Sequence, residues 1–183
     1  AANVTVNGGN ITVGDDSREA YVFPADAIIE GVEDVGYIVA TIGDAGFETL
    51  EAAIKAAKAG QTIKLIRDIT ASQIITIDKA ITIDGNGKTL TSTAARAINI
   101  DTTAEVVISN LTINAGERAI NIINQAATVE LNNVTATAKN NAVMIATSAG
   151  AVKLTINDSD LTGLAVVNVA GAGSDVAINN TKI

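Results

Sequence analysis

Two short motifs return through the second half of the chain at nearly the same interval, and that interval restricts the fold more than any other feature. The first, "VVISNLTI" from Val106, returns as "VELNNVTA" from Val129, "LTINDSDL" from Leu154 and "VAINNTKI" from Val176, at separations of 23, 25 and 22 residues. The second, "AINI" from Ala97, returns as "AINI" from Ala119, "AVMI" from Ala142 and "AVVNV" from Ala165, at 22, 23 and 23. Two independent markers with one period identify a repeat protein. Each unit holds runs of three to five alternating, largely β-branched residues between Gly, Asn, Asp, Ala and Thr, too short for helices. A unit with two or three such strands predicts one coil of a parallel β-helix, an all-β solenoid whose successive coils pair in register. Leucine-rich repeats share the period, but their L-x-x-L-x-L signature is missing, and a jelly roll would not hold two markers at constant spacing.

The alternation assigns an inward stack. It takes in Ile98, Ile100, Val106, Ile108, Ile120, Ile122, Val129, Leu131, Val143, Ile145, Leu154, Ile156, Val166, Val169, Val176 and Ile178. Composition fits narrow layers: 48% of the 183 residues are apolar but only 2% aromatic, so the core is built from Val, Ile, Leu and Ala. Upstream, "TIKLIRDIT", "IITID" and "ITIDGNGKTL" predict roughly two more coils. Before them, "FETLEAAIKAAKAG" places Leu50, Ala53, Ile54 and Ala57 on one helical face, with Thr49 as N-cap and Gly60 as the stop. A helix there would cover the apolar cross-section of the first coil. The predicted layout is a β arm over residues 1–18, strands over 19–46, a capping helix over 47–60 and coils over 61–183.

"TIGDAGFETLEAAIKAAKAGQTIKLIRDIT" followed by "ITIDGNGKTLT" resembles the capping helix and first coils of right-handed parallel β-helix proteins of the pectate-lyase-like superfamily. More narrowly, it resembles repeat-bearing bacterial surface proteins with this opening. The resemblance covers residues 41 to 92 by motif and continues to 183 by repeat pattern. It implies the fold, whereas activities in the superfamily range from lyases and hydrolases to adhesins and structural fibres.

Charge and composition exclude several functions. The net charge of −8 disfavours nucleic acid and anionic membranes, and no apolar run reaches the ~20 residues of a membrane helix. There is no Cys and no His, which removes disulfides, thiolate chemistry, His-based triads and imidazole metal sites. Lyases of the resembled superfamily use a carboxylate-bound calcium ion and an Arg or Lys base. Arg67, Arg96 and Arg118 show no obvious group of two or three carboxylates on matching positions of adjacent coils, although Asp78 and Asp84 lie near strand ends where they could meet. No catalytic residue, metal or cofactor is therefore expected.

The most regular polar feature is a ladder of Asn110, Asn133, Asp158 and Asn180. The repeat places each at a bend, where an amide satisfies turn backbone and bonds its neighbours above and below. That structural role is preferred to a ligand site. Sequons at Asn3 and Asn10 lie outside the coils and are the better glycosylation candidates, because those at Asn110, Asn133, Asn157 and Asn179 follow from the repeat itself. Outward Thr suggests an ice-binding array, but the column Thr112, Thr135, Asp160, Lys182 ends in two charges and argues against one. Sugar contact along the coils lacks aromatic platforms, since Tyr21, Phe23, Tyr37 and Phe47 all precede them.

The opening "AANVTV" lacks the basic and apolar parts of a signal peptide and resembles what cleavage at a small-residue site leaves, which predicts a secreted, cell-surface chain. "DVAINNTKI" reads as a complete repeat strand with no cap after it. An open coil at Val166, Val169, Val176, Ile178 and Ile183 would be a template for strand addition. Val4, Val6, Ile11 and Val13 in "NVTVNGGNITV" match its alternation, so the arm of one copy is expected to pair with the last coil of the next. Because that contact joins unlike surfaces, it propagates into a head-to-tail filament. The alternatives are a stalk or adhesin fragment that binds a cell-surface or glycan ligand and, more remotely, a polysaccharide lyase or hydrolase.

Overall fold

The computed structural model describes residues 38–183, and these form a parallel β-solenoid of five coils with one short helix. A hairpin of β1 (Ala40–Ile42) and β2 (Ala45–Phe47) precedes α1 (Leu50–Ala56). The first coil comprises β3 (Gln61–Leu65), β4 (Ile69–Ala71) and β5 (Ile75–Ile77). The second comprises β6 (Ile81–Asp84), β7 (Thr89–Ser92) and β8 (Arg96–Ile100), and the third β9 (Glu105–Ser109), β10 (Thr112–Ala115) and β11 (Arg118–Ile122). The fourth holds β12 (Thr128–Asn132), β13 (Thr135–Ala138) and β14 (Asn141–Ile145). The fifth holds β15 (Lys153–Asn157), β16 (Asp160–Thr162) and β17 (Val167–Val169), and β18 (Asp175–Asn179) follows it.

Stacking the coils builds three sheets. The first runs β18-β15-β12-β9-β6-β3-β1-β2, the second β16-β13-β10-β7-β4 and the third β17-β14-β11-β8-β5. Every coil-to-coil pairing is parallel, while β1 lies antiparallel to both β2 and β3 and so continues the first sheet beyond the first coil. In-register pairing puts like residues in columns. Ile63, Ile83, Ile108, Leu131 and Ile156 form one such column, each wholly buried. Each such side chain contributes roughly 1.5–3 kcal/mol of burial, which replaces the large aromatic core this chain lacks.

The inward stack read from the alternation is buried from Ile98 in the second coil to Ile156 in β15, but its last members depart from the expectation because no further coil covers them: Val166 and Val176 are half-buried, and Val169 and Ile178 are exposed. The structure adds a row along the second sheet: Leu90, Ile113, Ala136 and Leu161. It also corrects one interval. Val143 pairs with Val167, so Val166, not Ala165, occupies the place of Ala142, and the step there is 24 residues. The turn before β17 is one residue shorter than the turn before β14, since the offset from the preceding coil falls from 25 at Thr162 to 24 at Val167, and there Gly163 lies against the backbone of Asn140 and Ala138.

The helix is shorter than its sequence pattern. Thr49 is the N-cap, its hydroxyl accepting from the Ala52 N–H at 3.0 Å, but the chain turns extended at Ala57 (φ −61°, ψ 138°). Gly60 (φ +80°) belongs to the solenoid instead, since its N–H donates to the Ala80 carbonyl of the next coil at 2.8 Å. Leu50, Ala53 and Ile54 join the common core, and α1 packs on β1, β2, β3 and β5. The expected arm over residues 1–18 lies outside the described residues, as do 19–37 of the expected strand segment.

Candidate functional site

Two features stand out once the coils are in place: polar ladders at the turns, and an apolar surface on the last coil. The ladder of Asn110, Asn133, Asp158 and Asn180 lies at the turn from the first to the second sheet. All four residues have positive φ (52°, 52°, 50° and 43°), a conformation Asn and Asp tolerate better than other side-chain-bearing residues. Asn110 Nδ2 donates to Asp84 Oδ1 at 3.1 Å, Asn133 Nδ2 to Asn110 Oδ1 at 2.9 Å, and Asn180 Nδ2 to Asp158 Oδ1 at 2.6 Å. The direction is constant: the later coil donates to the earlier one. Asp158 has no donor, so no side-chain bond joins it to Asn133. The backbone N–H groups of Asn110, Asn133 and Asp158 each donate to a carbonyl one coil on, as from Asn110 to Asn132 at 3.0 Å. These amides are occupied in holding the turn.

Beside this ladder runs a second, which the sequence reading passed over. Asn157 Nδ2 donates to Asn132 Oδ1 and Asn179 Nδ2 to Asn157 Oδ1, both at 2.8 Å. Its signal was present in the dipeptides Asn132-Asn133, Asn157-Asp158 and Asn179-Asn180, doubled at the ends of β12, β15 and β18. A third lies inside the "AINI" marker, where Asn121 Nδ2 donates to Asn99 Oδ1 at 3.1 Å. Asn121 is only 1% exposed and its Oδ1 has no partner among the described residues. The residue beside it in the next coil is Met144, which has no donor to offer.

The residues that would serve lyase chemistry are not brought together. Asp84 accepts from the Asn86 N–H at 2.9 Å and from Asn110 Nδ2, so its carboxylate is part of the turn. Asp78 precedes β6 and pairs with Lys79 at 3.6 Å, while Asp84 is the last residue of that strand. Arg96 and Arg118 are register partners on β8 and β11, and Arg67 Nε donates to the Ile38 carbonyl at 3.2 Å. Among the described residues, no three of His, Cys, Asp or Glu converge on a place for a metal ion. No described helix is long and apolar enough to cross a membrane.

The last coil is different in kind. The large hydrophobic residues that are exposed among those described are Leu164 (86%), Ile183 (67%), Val169 (46%) and Ile178 (40%), all on this coil or after it. Val166, Val167 and Val176 beside them are half-buried. β17 and β18 are the last strands of their sheets and meet no described strand on their outer edges, whereas β16 is bridged by Lys182, whose carbonyl accepts from the Leu161 N–H at 2.8 Å. Val166, Val169, Val176, Ile178 and Ile183 are thus brought to one end of the solenoid. The arm residues Val4, Val6, Ile11 and Val13, and the sequons at Asn3 and Asn10, lie outside the described residues.

Comparison with known proteins gives one match. Residues 45–144 match the family described as the pectate lyase-like adhesive domain, which spans α1 and the first four coils. No curated protein and no solved structure matches the chain.

Proposed function

The chain belongs to the pectate lyase-like adhesive domain family, and from that premise we propose that it is a non-catalytic adhesive module of the cell surface whose last coil joins another copy end to end. The observation that carries the assembly is the cluster of exposed Val169, Ile178 and Ile183 on the unpaired strands β17 and β18 and just beyond. The column of Ile178 continues without a change of register from β15 to β18, so a further strand laid on β18 meets a repeat of the same pitch. The segment "NVTVNGGNITV" carries the matching alternation at Val4, Val6, Ile11 and Val13. Strand addition of this kind takes affinity from main-chain hydrogen bonds and register from the alternate side chains. A donor from one copy and an acceptor on the next form a heterologous contact, which extends into a row of copies.

The same register favours a second occupant, a further coil of a longer chain. Deleting residues 2–13 separates the two. Light scattering of the full 183-residue chain is expected to show growth with concentration, and the deletion to leave single chains of unchanged melting temperature. Single chains at every concentration of the full sequence, or growth that survives the deletion, would refute strand addition and leave the further coil as the occupant.

A further inference from the structure

We infer that the outward face of the second sheet binds ice. The sequence pattern offered only one column of this face, Thr112, Thr135, Asp160 and Lys182, and its two charges argued against such a surface. The structure shows a second column beside it. β7 presents Thr89 and Thr91, β10 Thr112 and Asn114, and β13 Thr135 and Thr137, all paired in register. Thr70 and Thr162 continue the second column on β4 and β16, so it reads Thr, Thr, Asn, Thr, Thr, and every member is exposed. The charges that end the first column neutralise each other, with Lys182 Nζ 3.0 Å from Asp160 Oδ2.

Three properties make this net suited to an ordered lattice of water. First, its spacing is regular in two dimensions, about 4.8 Å between strands and about 6.6 Å between residues i and i+2. Such a net can register with the repeating oxygens of an ice surface. Second, it is rigid. Thr is β-branched and stiff at χ1, and Leu90, Ile113, Ala136 and Leu161 anchor the same strands in the core. Third, its second column holds no charged residue in a chain of net charge −8, and the charges of the first column are closed in the Lys182–Asp160 pair, which suits a neutral lattice better than an ionic partner.

Other partners fit less well. Phe47 is the sole aromatic among the described residues and lies in β2, so the face has no platform for stacking sugar rings. It also lacks the Trp, Tyr and Arg anchors that dominate protein interfaces. The face runs along the side of the solenoid, so this inference is independent of assembly at its end.

The test is ice-crystal shaping and inhibition of recrystallisation by the full chain, with albumin as the inert protein. The full chain is expected to facet growing crystals and keep grains small. Replacing two exposed members together (T91K with T137K) abolishes both effects, while T82K with T155K on the outward face of the first sheet preserves them. Filling the one gap in the second column with N114T raises the activity, a readout that loss of folding cannot imitate. Ice growth like that in albumin, equal activity in T91K/T137K, no gain in N114T, or retention on crystalline cellulose in place of ice activity would each overturn the inference.

Discussion

Ile156 and Ile178 are the same residue type in the same column, one coil apart, so their truncation isolates the effect of being covered. Ile156 is wholly buried between Leu131 and Ile178, whereas Ile178 is 40% exposed. Ile→Ala removes about three methylene equivalents, worth about 2.4 kcal/mol at roughly 0.8 kcal/mol each. At Ile156 a sealed cavity remains between the flanking coils, which brings the expected loss to about 3–4 kcal/mol. At Ile178 the transfer part scales to about 1.4 kcal/mol, and no closed cavity forms. With about 2–4 °C per kcal/mol for a chain of this size, I156A should lower the melting temperature by about 6–16 °C and I178A by about 3–6 °C. Calorimetry at concentrations where light scattering reports single chains makes the comparison. Equal losses in single chains would show that the last coil is covered from within the chain, and a smaller loss for I156A would refute the in-register stack itself. At higher concentration, the I178A loss should grow towards that of I156A as copies join.

Other substitutions test separate parts of the account. A Cβ at Gly171 would stand 1.9 Å from the Ala149 carbonyl oxygen and 2.8 Å from its carbon, so G171A should cost about 1–3 kcal/mol. At Gly116 the nearest atom is 3.7 Å away, and G116A should be neutral or stabilising by up to about 1 kcal/mol; paired thermal melts decide both. M144N places a donor beside the unpaired Asn121 Oδ1 and should raise stability by about 1 kcal/mol, whereas M144A, which adds no donor, should not. T49A removes the hydroxyl that accepts from Ala52 and should cost about 0.5–2 kcal/mol, read as earlier amide exchange in α1 than in the coils.

The solenoid was legible because its period is written twice, in strands that lie in different sheets, and stacking like upon like preserves such a signal. The Asn110 ladder was legible for the same reason. What escaped detection depended on register between coils and not on spacing along the chain. The second Thr column was invisible until β7, β10 and β13 were aligned, since Thr70, Thr91 and Thr137 sit in short Thr-rich strands without a mark of their own. The shift from Ala165 to Val166 was hidden because Ala, Val and Val in succession offer two equally good alignments. The helix end was misread because Gly60 looks like a stop, yet it is a solenoid turn bonded to Ala80. The exposed end of the column at Ile178 was anticipated from the repeat, while its neighbour Leu164, at 86% exposure, carried no such signal.

Electron microscopy of the purified full chain across a concentration series tests the central claim most directly. The account predicts unbranched rows of solenoids joined along their axes, lengthening with concentration and absent after deletion of residues 2–13. Uniform single particles of the full chain at every concentration would contradict it.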